Sequence, residues 1–144
     1  MRIWRAERFG KPQEVLELAE LEYPEPAHQM VELKVEATGV GLPDALMVAG
    51  NYPAVHRPPV TPGQEIAGVV TRVGAGCTVQ PGDRVLSSTR FAEGFGGFAE
   101  HCQVHESETL PIPAGMSAEQ AAGFWVPFHT GYVGVIQRAQ LKRG

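Results

Sequence analysis

Glycine and proline cut this chain into short runs, and that punctuation constrains its fold more than any other feature. The sequence carries 17 glycines and 12 prolines in 144 residues, about a fifth of the chain against a usual ~12%. No Gly-X-Y period accompanies them, which excludes collagen. Between the breaks, apolar residues alternate with charged ones. Val31, Leu33, Val35 and Ala37 alternate with Glu32, Lys34 and Glu36, the period of a half-buried strand with its charged side in water. Val15, Leu16, Leu18 and Leu21 are interleaved with Glu14, Glu17, Glu20 and Glu22, and Tyr23-Pro24-Glu25-Pro26 then forces a connection, because proline cannot sit in a central strand. Further strands are expected over Ile66 to Val73, which ends in Gly74-Ala75-Gly76, and over Asp83 to Leu86, Phe98 to Val104 and Thr109 to Ile112. Pro81-Gly82 fits the central pair of a type II turn, Pro fixing φ and Gly taking positive φ. The pattern is that of a turn-rich, mainly β domain.

Three helical signals interrupt or follow the strands. Pro43 suits a first helical position, Asp44 complements the positive helix start and Gly50 ends the segment. Its apolar side is expected from Ala45, Leu46, Val48 and Ala49. Ser117-Ala118-Glu119-Gln120 reads as a capping box, opening a helix that runs to about Trp125 and stops near Pro127. A second helical pattern covers Thr130 to Leu141, with Gly131 and Gly134 on one small face. Lys142-Arg143 suit its negative end and Gly144 its C′ position.

Size and composition narrow the class. A chain of 144 residues is the size of one ordinary domain and can bury roughly 68–70% of its unfolded surface. Apolar residues make up 43% and charged residues 19%, which is globular composition. The net charge is −4, and the three lysines (Lys11, Lys34, Lys142) are scattered. Without a basic stripe, nucleic acid is not an expected partner. The longest apolar stretch, Ala121 to Ile136, is interrupted by Pro127, His129 and Thr130, so no membrane span is expected. The first residues lack the apolar core of a secretory leader. Cys77 and Cys102 are therefore expected as free thiols of a cytoplasmic protein.

The densest segment is Pro62-Gly63-Gln64-Glu65-Ile66-Ala67-Gly68-Val69-Val70, followed by Val73-Gly74-Ala75-Gly76 and Pro81-Gly82-Asp83-Arg84-Val85. Ala67 and Gly68 are small where another stretch of backbone can approach a strand closely. Other pieces keep the same order: Gly39-Val40-Gly41-Leu42-Pro43-Asp44, Gly50-Asn51-Tyr52-Pro53, Gly96-Gly97-Phe98-Ala99-Glu100, Pro113-Ala114-Gly115-Met116-Ser117 and Phe128-His129-Thr130-Gly131-Tyr132. This ordered set resembles the N-terminal part of the medium-chain dehydrogenase/reductases, on the zinc-independent quinone oxidoreductase and enoyl reductase side, and the resemblance runs over essentially all 144 residues. It implies a GroES-like, partly open β-barrel over residues 1–115. Residues 116–144 would be a helical connector and the start of a cofactor-binding Rossmann domain. It further implies a homodimer in the complete enzyme and a small-molecule substrate.

The resemblance also frames the metal question. Zinc-dependent members of the family carry a Cys-His pair after Gly-Val and a His before the Glu of Gly-His-Glu. Those positions hold Gly41, Leu42 and Gln64 here. Glycine offers no donor, leucine is apolar and glutamine is a poor zinc ligand, and no cysteine lies between Arg84 and Gly96. The expectation is a site without zinc, in which Glu65 serves as a structural hydrogen-bond acceptor. His101 and His105 stand at i and i+4 on one side of a strand, but a metal needs three or four convergent donors, so they read as rim residues.

Without a Lewis acid, the chemistry left to such a fold is hydride delivery to a quinone or an activated C=C, where one hydrogen-bond donor can meet the developing charge. By resemblance, Tyr52 is the candidate donor, since a Tyr in a similar Gly-x-Tyr-Pro setting is assigned that role in enoyl thioester reductases. Packing at the cleft lip is the alternative. Gln64 faces the same region as a second hydrogen-bonding group. The resemblance implies Gly41, Leu42 and Thr130 as the contacts of the nicotinamide of NADP(H), and the loop 87–97, with Arg90, Phe91 and Phe95, reads equally as a substrate wall or as an ordinary mobile loop. Many quinone oxidoreductases have Asn at the position of Gly41, so this pocket has lost one polar contact. No Gly-rich dinucleotide fingerprint is present: Gly74-Ala75-Gly76 lacks the third glycine and the helix. The expectation is therefore the substrate-side part of a longer NADPH-dependent enzyme, inactive alone. A free-standing GroES-like binding module is the alternative.

Overall fold

The computed structural model describes residues 1–143. Its strands and helices run β1 (Arg2–Ala6), α1 (Pro12–Val15), β2 (Leu16–Glu20), β3 (Met30–Thr38), α2 (Leu42–Val48), β4 (Glu65–Val73), β5 (Arg84–Ser88), β6 (His101–His105), β7 (Thr109–Pro111), α3 (Ala118–Ala122) and α4 (Trp125–Tyr132). α4 continues as a wider π-helical segment, Val133–Arg138. The five longer-range strands form one antiparallel sheet in the order β6-β3-β4-β5-β7, and β1 and β2 form a separate two-stranded sheet. Single bridges, Ile3 to Ala99 and Ala6 to Val60, tie the small sheet to the loops of the large one. The result is mainly β, with open sheets rather than a closed barrel.

The core follows the alternation. Val31 and Leu33 of β3 turn inward with Ile66 and Val70 of β4, Val85 of β5, and Cys102 and Val104 of β6. Leu33 is fully buried opposite Val70 and Cys102, and each such side chain contributes on the order of 1.5–3 kcal/mol. Gly68 lies beside an irregularity in the β3–β4 register. A Cβ there would run into the carbonyl oxygen of Lys34, so the close approach expected from Ala67-Gly68 is present. The Gln80-Pro81-Gly82-Asp83 turn forms with Gly82 at φ +98° and Asp83 N–H donating to Gln80 O at 3.0 Å. The Ser117–Gln120 capping box also forms, with reciprocal bonds of 3.0 and 3.2 Å. It starts α3, whose Ala118, Ala121 and Ala122 pack on Ala67 and Leu86.

Four expectations are corrected. Glu32 is not in water but buried, its carboxylate accepting from Thr71 Oγ1, Gln103 Nε2 and the Arg72 guanidinium. Burial alone would raise its carboxyl, but the hydrogen bonds from Arg72, Gln103 and Thr71 hold it below the ordinary carboxylate range. The face that α2 buries is Asp44, Met47 and Val48, not the Ala45 and Leu46 side. α3 ends at Ala122, and Pro127 lies in the first turn of α4 instead of stopping a helix. The first-turn amides of a helix have no intrahelical acceptor, so proline costs little there. The last helical residue is Arg138, so Lys142-Arg143 lie beyond the helix end. The C′ role expected of Gly144 lies outside the described residues.

Candidate functional site

The site is built on the loop that enters β4. Residues 61–64 are buried, and Gly63 sits at φ +102°, a conformation that only glycine adopts without strain. Its carbonyl accepts from Thr89 Oγ1 at 2.6 Å and from Gly97 N–H at 2.8 Å. Its own N–H donates to Asp44 Oδ1 at 2.8 Å, while Asp44 Oδ2 accepts from Gly41 N–H at 2.8 Å. Asp44 therefore does more than complement a helix start. It joins the beginning of α2 to the loop before β4.

Gln64 follows Gly63. Its carbonyl accepts from Thr89 N–H, and its side-chain Nε2 donates to the Tyr52 hydroxyl at 2.8 Å. The Tyr52 ring packs with Met47, Val55 and Val60 and meets Phe91 edge-on at 6.1 Å between centroids. The two side chains singled out as catalytic thus form one pair, with the loop 87–97 against it. Arg90 of that loop lies over the Phe95 ring at 5.2 Å, a cation–π contact that orders the loop.

Glu65, the first residue of β4, is buried and accepts from Val126 N–H at 2.7 Å. α4 has no side-chain cap of its own, so Glu65 satisfies one of its orphan amides from another element. This is the structural acceptor expected for Glu65. Burial raises its carboxyl above the ordinary range and the Asp44 charge adds to the rise, against the Val126 N–H, which lowers it.

A small pocket of about 160 Å³ lies over these groups, lined among others by Gly41, Pro43, Asp44, Gln64, Glu65, Val126 and Pro127. Tyr52 is not among the residues lining it, but its hydroxyl is bonded to Gln64, which is. Val40 also lines it and is exposed, whereas Leu42, exposed as well, is not among its lining residues. Thr130 does not line the pocket; it stands four residues beyond Val126, one turn further along α4, and is exposed. Sequence reading missed Val126 and Pro127 as lining residues and the bond from Asp44 to Gly63. Gly123 followed by a first-turn proline was the one local sign of a second helix start.

Among the described residues no three His, Cys, Asp or Glu side chains are arranged to hold a metal ion. His101 Nδ1 stands 3.3 Å from Glu32 Oε1, and His105 Nδ1 stands 2.9 Å from Ser107 Oγ, so the two histidines serve different neighbours. Both cysteines are free. Burial pushes the Cys102 thiol up to about 12. No helix among the described residues is long and apolar enough to cross a membrane.

The pattern of the alcohol dehydrogenase GroES-like domain family matches residues 27–114. The chain belongs to that family. Within it, the chain is 33% identical over its whole length to quinone oxidoreductase of Homo sapiens, of which it spans 43%. It superposes over its whole length on quinone oxidoreductase from Thermus thermophilus, solved alone and in complex with NADPH, with a TM-score of 0.82 and 38% identity, covering 43% of that chain. A probable oxidoreductase from Mycobacterium abscessus superposes with a TM-score of 0.88 and 35% identity, covering 45% of that chain. The GroES-like chain thus spans less than half the length of these relatives. A trough of about 810 Å³ lies along α4 and the π-helical segment, where Phe124, Phe128, Tyr132, Val135 and Ile136 are exposed.

Proposed function

We propose that residues 1–115 are the substrate-side domain of a cytoplasmic, zinc-independent, NADPH-dependent reductase acting on a quinone, an enone or an enoyl thioester. Residues 116–144 are its helical connector and the start of the cofactor domain, and the complete enzyme is a homodimer. The observation that carries this reading is the Gln64–Tyr52 hydrogen bond beside a pocket floored by the start of β4. With the Gln64 amide donating to the phenol oxygen, the phenolic hydrogen is free for a second acceptor. Reduction of a conjugated carbonyl builds negative charge on its oxygen, and Tyr52 donates its hydrogen bond to that oxygen. Gln64 holds the phenol in place, and Phe91 restricts its ring.

The residues present fit one end of the cofactor. Gly41 has no side chain to obstruct a flat ring, Leu42 is an exposed apolar neighbour, and Thr130 is an exposed hydroxyl on α4. Gly41, which lines the pocket, would face the nicotinamide, and Leu42 and Thr130, which lie outside the lining, would meet the ring and its carboxamide from the rim. No glycine-rich turn is available for the pyrophosphate, and the exposed apolar face of α4 fits packing against a further domain. Bound NADPH supplies the hydride, and the protein supplies orientation and charge stabilisation. The zinc-independent reading rests on the donor set: Gly41 and Leu42 offer no donor, and Gln64, whose Nε2 donates to Tyr52, brings only a neutral amide oxygen, a poor zinc ligand.

The test is NADPH consumption by protein expressed from the complete reading frame, with 1,4-naphthoquinone, a cyclic enone and a crotonyl thioester as acceptors. Turnover with at least one acceptor, in protein whose zinc content is far below stoichiometric, is expected. Stoichiometric zinc, or no turnover with any of the three, would overturn the reading, the second result favouring a binding module.

A further inference from the structure

We propose that Asp44 is a positioning residue for the Gln64–Tyr52 pair: its buried carboxylate ties Gly41 to Gly63 and thereby fixes the Gln64 amide against the Tyr52 hydroxyl. The kinetic consequence rests on the reductase reading above; the tie itself does not.

Three observations converge on this role. First, each Asp44 oxygen is committed to a backbone N–H of a different element, Gly41 at the start of α2 and Gly63 before β4, both at 2.8 Å. Hydrogen bonds to an ionised carboxylate are roughly twice as strong as neutral ones. Second, both partners are glycines, which have no side chain through which they could be held. Gly63 is also confined by its positive φ and by the two donors on its carbonyl. Tethered at both its N–H and its carbonyl, the Gly63 residue sets where Gln64 leaves the loop. Third, the arrangement is costly. Asp44 is 6% exposed and Glu65 is 8% exposed. Neither forms an ion pair among the described residues, and the Asp44 charge pushes the Glu65 carboxyl upward. Two like charges buried together disfavour the folded state. A neutral side chain such as Asn would close one of the two bonds without that cost. What only a carboxylate does here is accept from both amides at once, holding α2 and the β4 loop in a single register.

The account makes the effect of Asp44 pass through Gln64, which a double-mutant cycle reads directly. In protein from the complete reading frame, Asp44→Asn should lower kcat about ten-fold with 1,4-naphthoquinone while KM changes by less than about two-fold. In a Gln64→Ala background the same substitution should change kcat by less than about two-fold. Losses that multiply in the double variant would overturn the proposal, because Asp44 would then act independently of Gln64. A second measurement needs no variant. In the unsubstituted protein the Gly41 and Gly63 amides, neither of them in a helix interior or a strand ladder, should be protected from hydrogen exchange, and free exchange at both would overturn the tie. If the protein reduces none of the three acceptors, the reductase reading fails separately. A shifted Gln64 side-chain amide NMR signal in Asp44→Asn would then still support the positioning role, and an unshifted one would overturn it.

Discussion

Replacing Gly63 with alanine tests whether the loop entering β4 is held as tightly as its hydrogen bonds imply. Gly82 provides the control. The two glycines have nearly the same positive φ, +102° and +98°, so alanine at either incurs a similar backbone strain of about 1–3 kcal/mol. Their surroundings differ completely. A Cβ on Gly63 would lie 2.6 Å from Gly97 N, 2.7 Å from Phe98 Cδ1 and 2.8 Å from Phe98 N, whereas one on Gly82 meets no heavy atom within 4 Å. Two of the three obstacles at Gly63 are backbone atoms, so the clash cannot be relieved by a rotamer change. Overpacking of this kind costs about 1–3 kcal/mol more. Gly82→Ala should therefore cost about 1–3 kcal/mol and Gly63→Ala about 2–6 kcal/mol, a large part of the ~5–15 kcal/mol that holds a domain together. Urea unfolding with unchanged m-values measures both. Equal losses for the two variants would refute the reasoning, since they would show the 96–98 loop giving way freely around Gly63.

Leu33→Ala removes a fully buried side chain between Val70 and Cys102 and should cost about 2–5 kcal/mol in the same assay; a loss below ~1 kcal/mol would mean that the β3 face is not core. Glu65→Gln keeps an acceptor for Val126 N–H and removes the charge. The folded-state carboxyl of Glu65 lies above its unfolded value, so its ionisation destabilises the fold as pH rises through that window. The difference in Tm, variant minus unsubstituted protein, should grow with pH there, and a difference that shrinks would contradict the assignment. A polypeptide of residues 1–144 alone should show no saturable NADPH binding by calorimetry, because the turn that would cradle the pyrophosphate is absent from its sequence; a micromolar dissociation constant would refute this.

Much of the fold was legible because its signals are local. The Pro81-Gly82 turn, the Ser117–Gln120 capping box and the β3 alternation each depend on residues within a few positions of one another. What escaped depends on partners far away in sequence. Glu32 reads as a solvated position in an alternating strand, and it is the Arg72, Gln103 and Thr71 side chains from neighbouring strands that make its burial tolerable. Pro127 reads as a stop because a helix start looks the same as a helix end until the cap is known, and the cap of α4 is Glu65, far earlier in the chain. Asp44 was legible as a helix-start residue, but not as the link to Gly63. Tyr52 and Gln64 were named on family resemblance alone; the bond between them is a property of how the loop after α2 and the loop before β4 pack.

The central claim is that Tyr52, held by Gln64, donates a hydrogen bond to charge developing on the substrate oxygen. Tyr52→Phe in protein from the complete reading frame removes that hydroxyl and leaves the ring against Phe91. The account predicts a kcat more than about ten-fold lower, about 1.4 kcal/mol of lost transition-state stabilisation, with the urea midpoint nearly unchanged. An unaltered kcat would contradict it and reduce Tyr52 to a packing residue at the edge of the pocket.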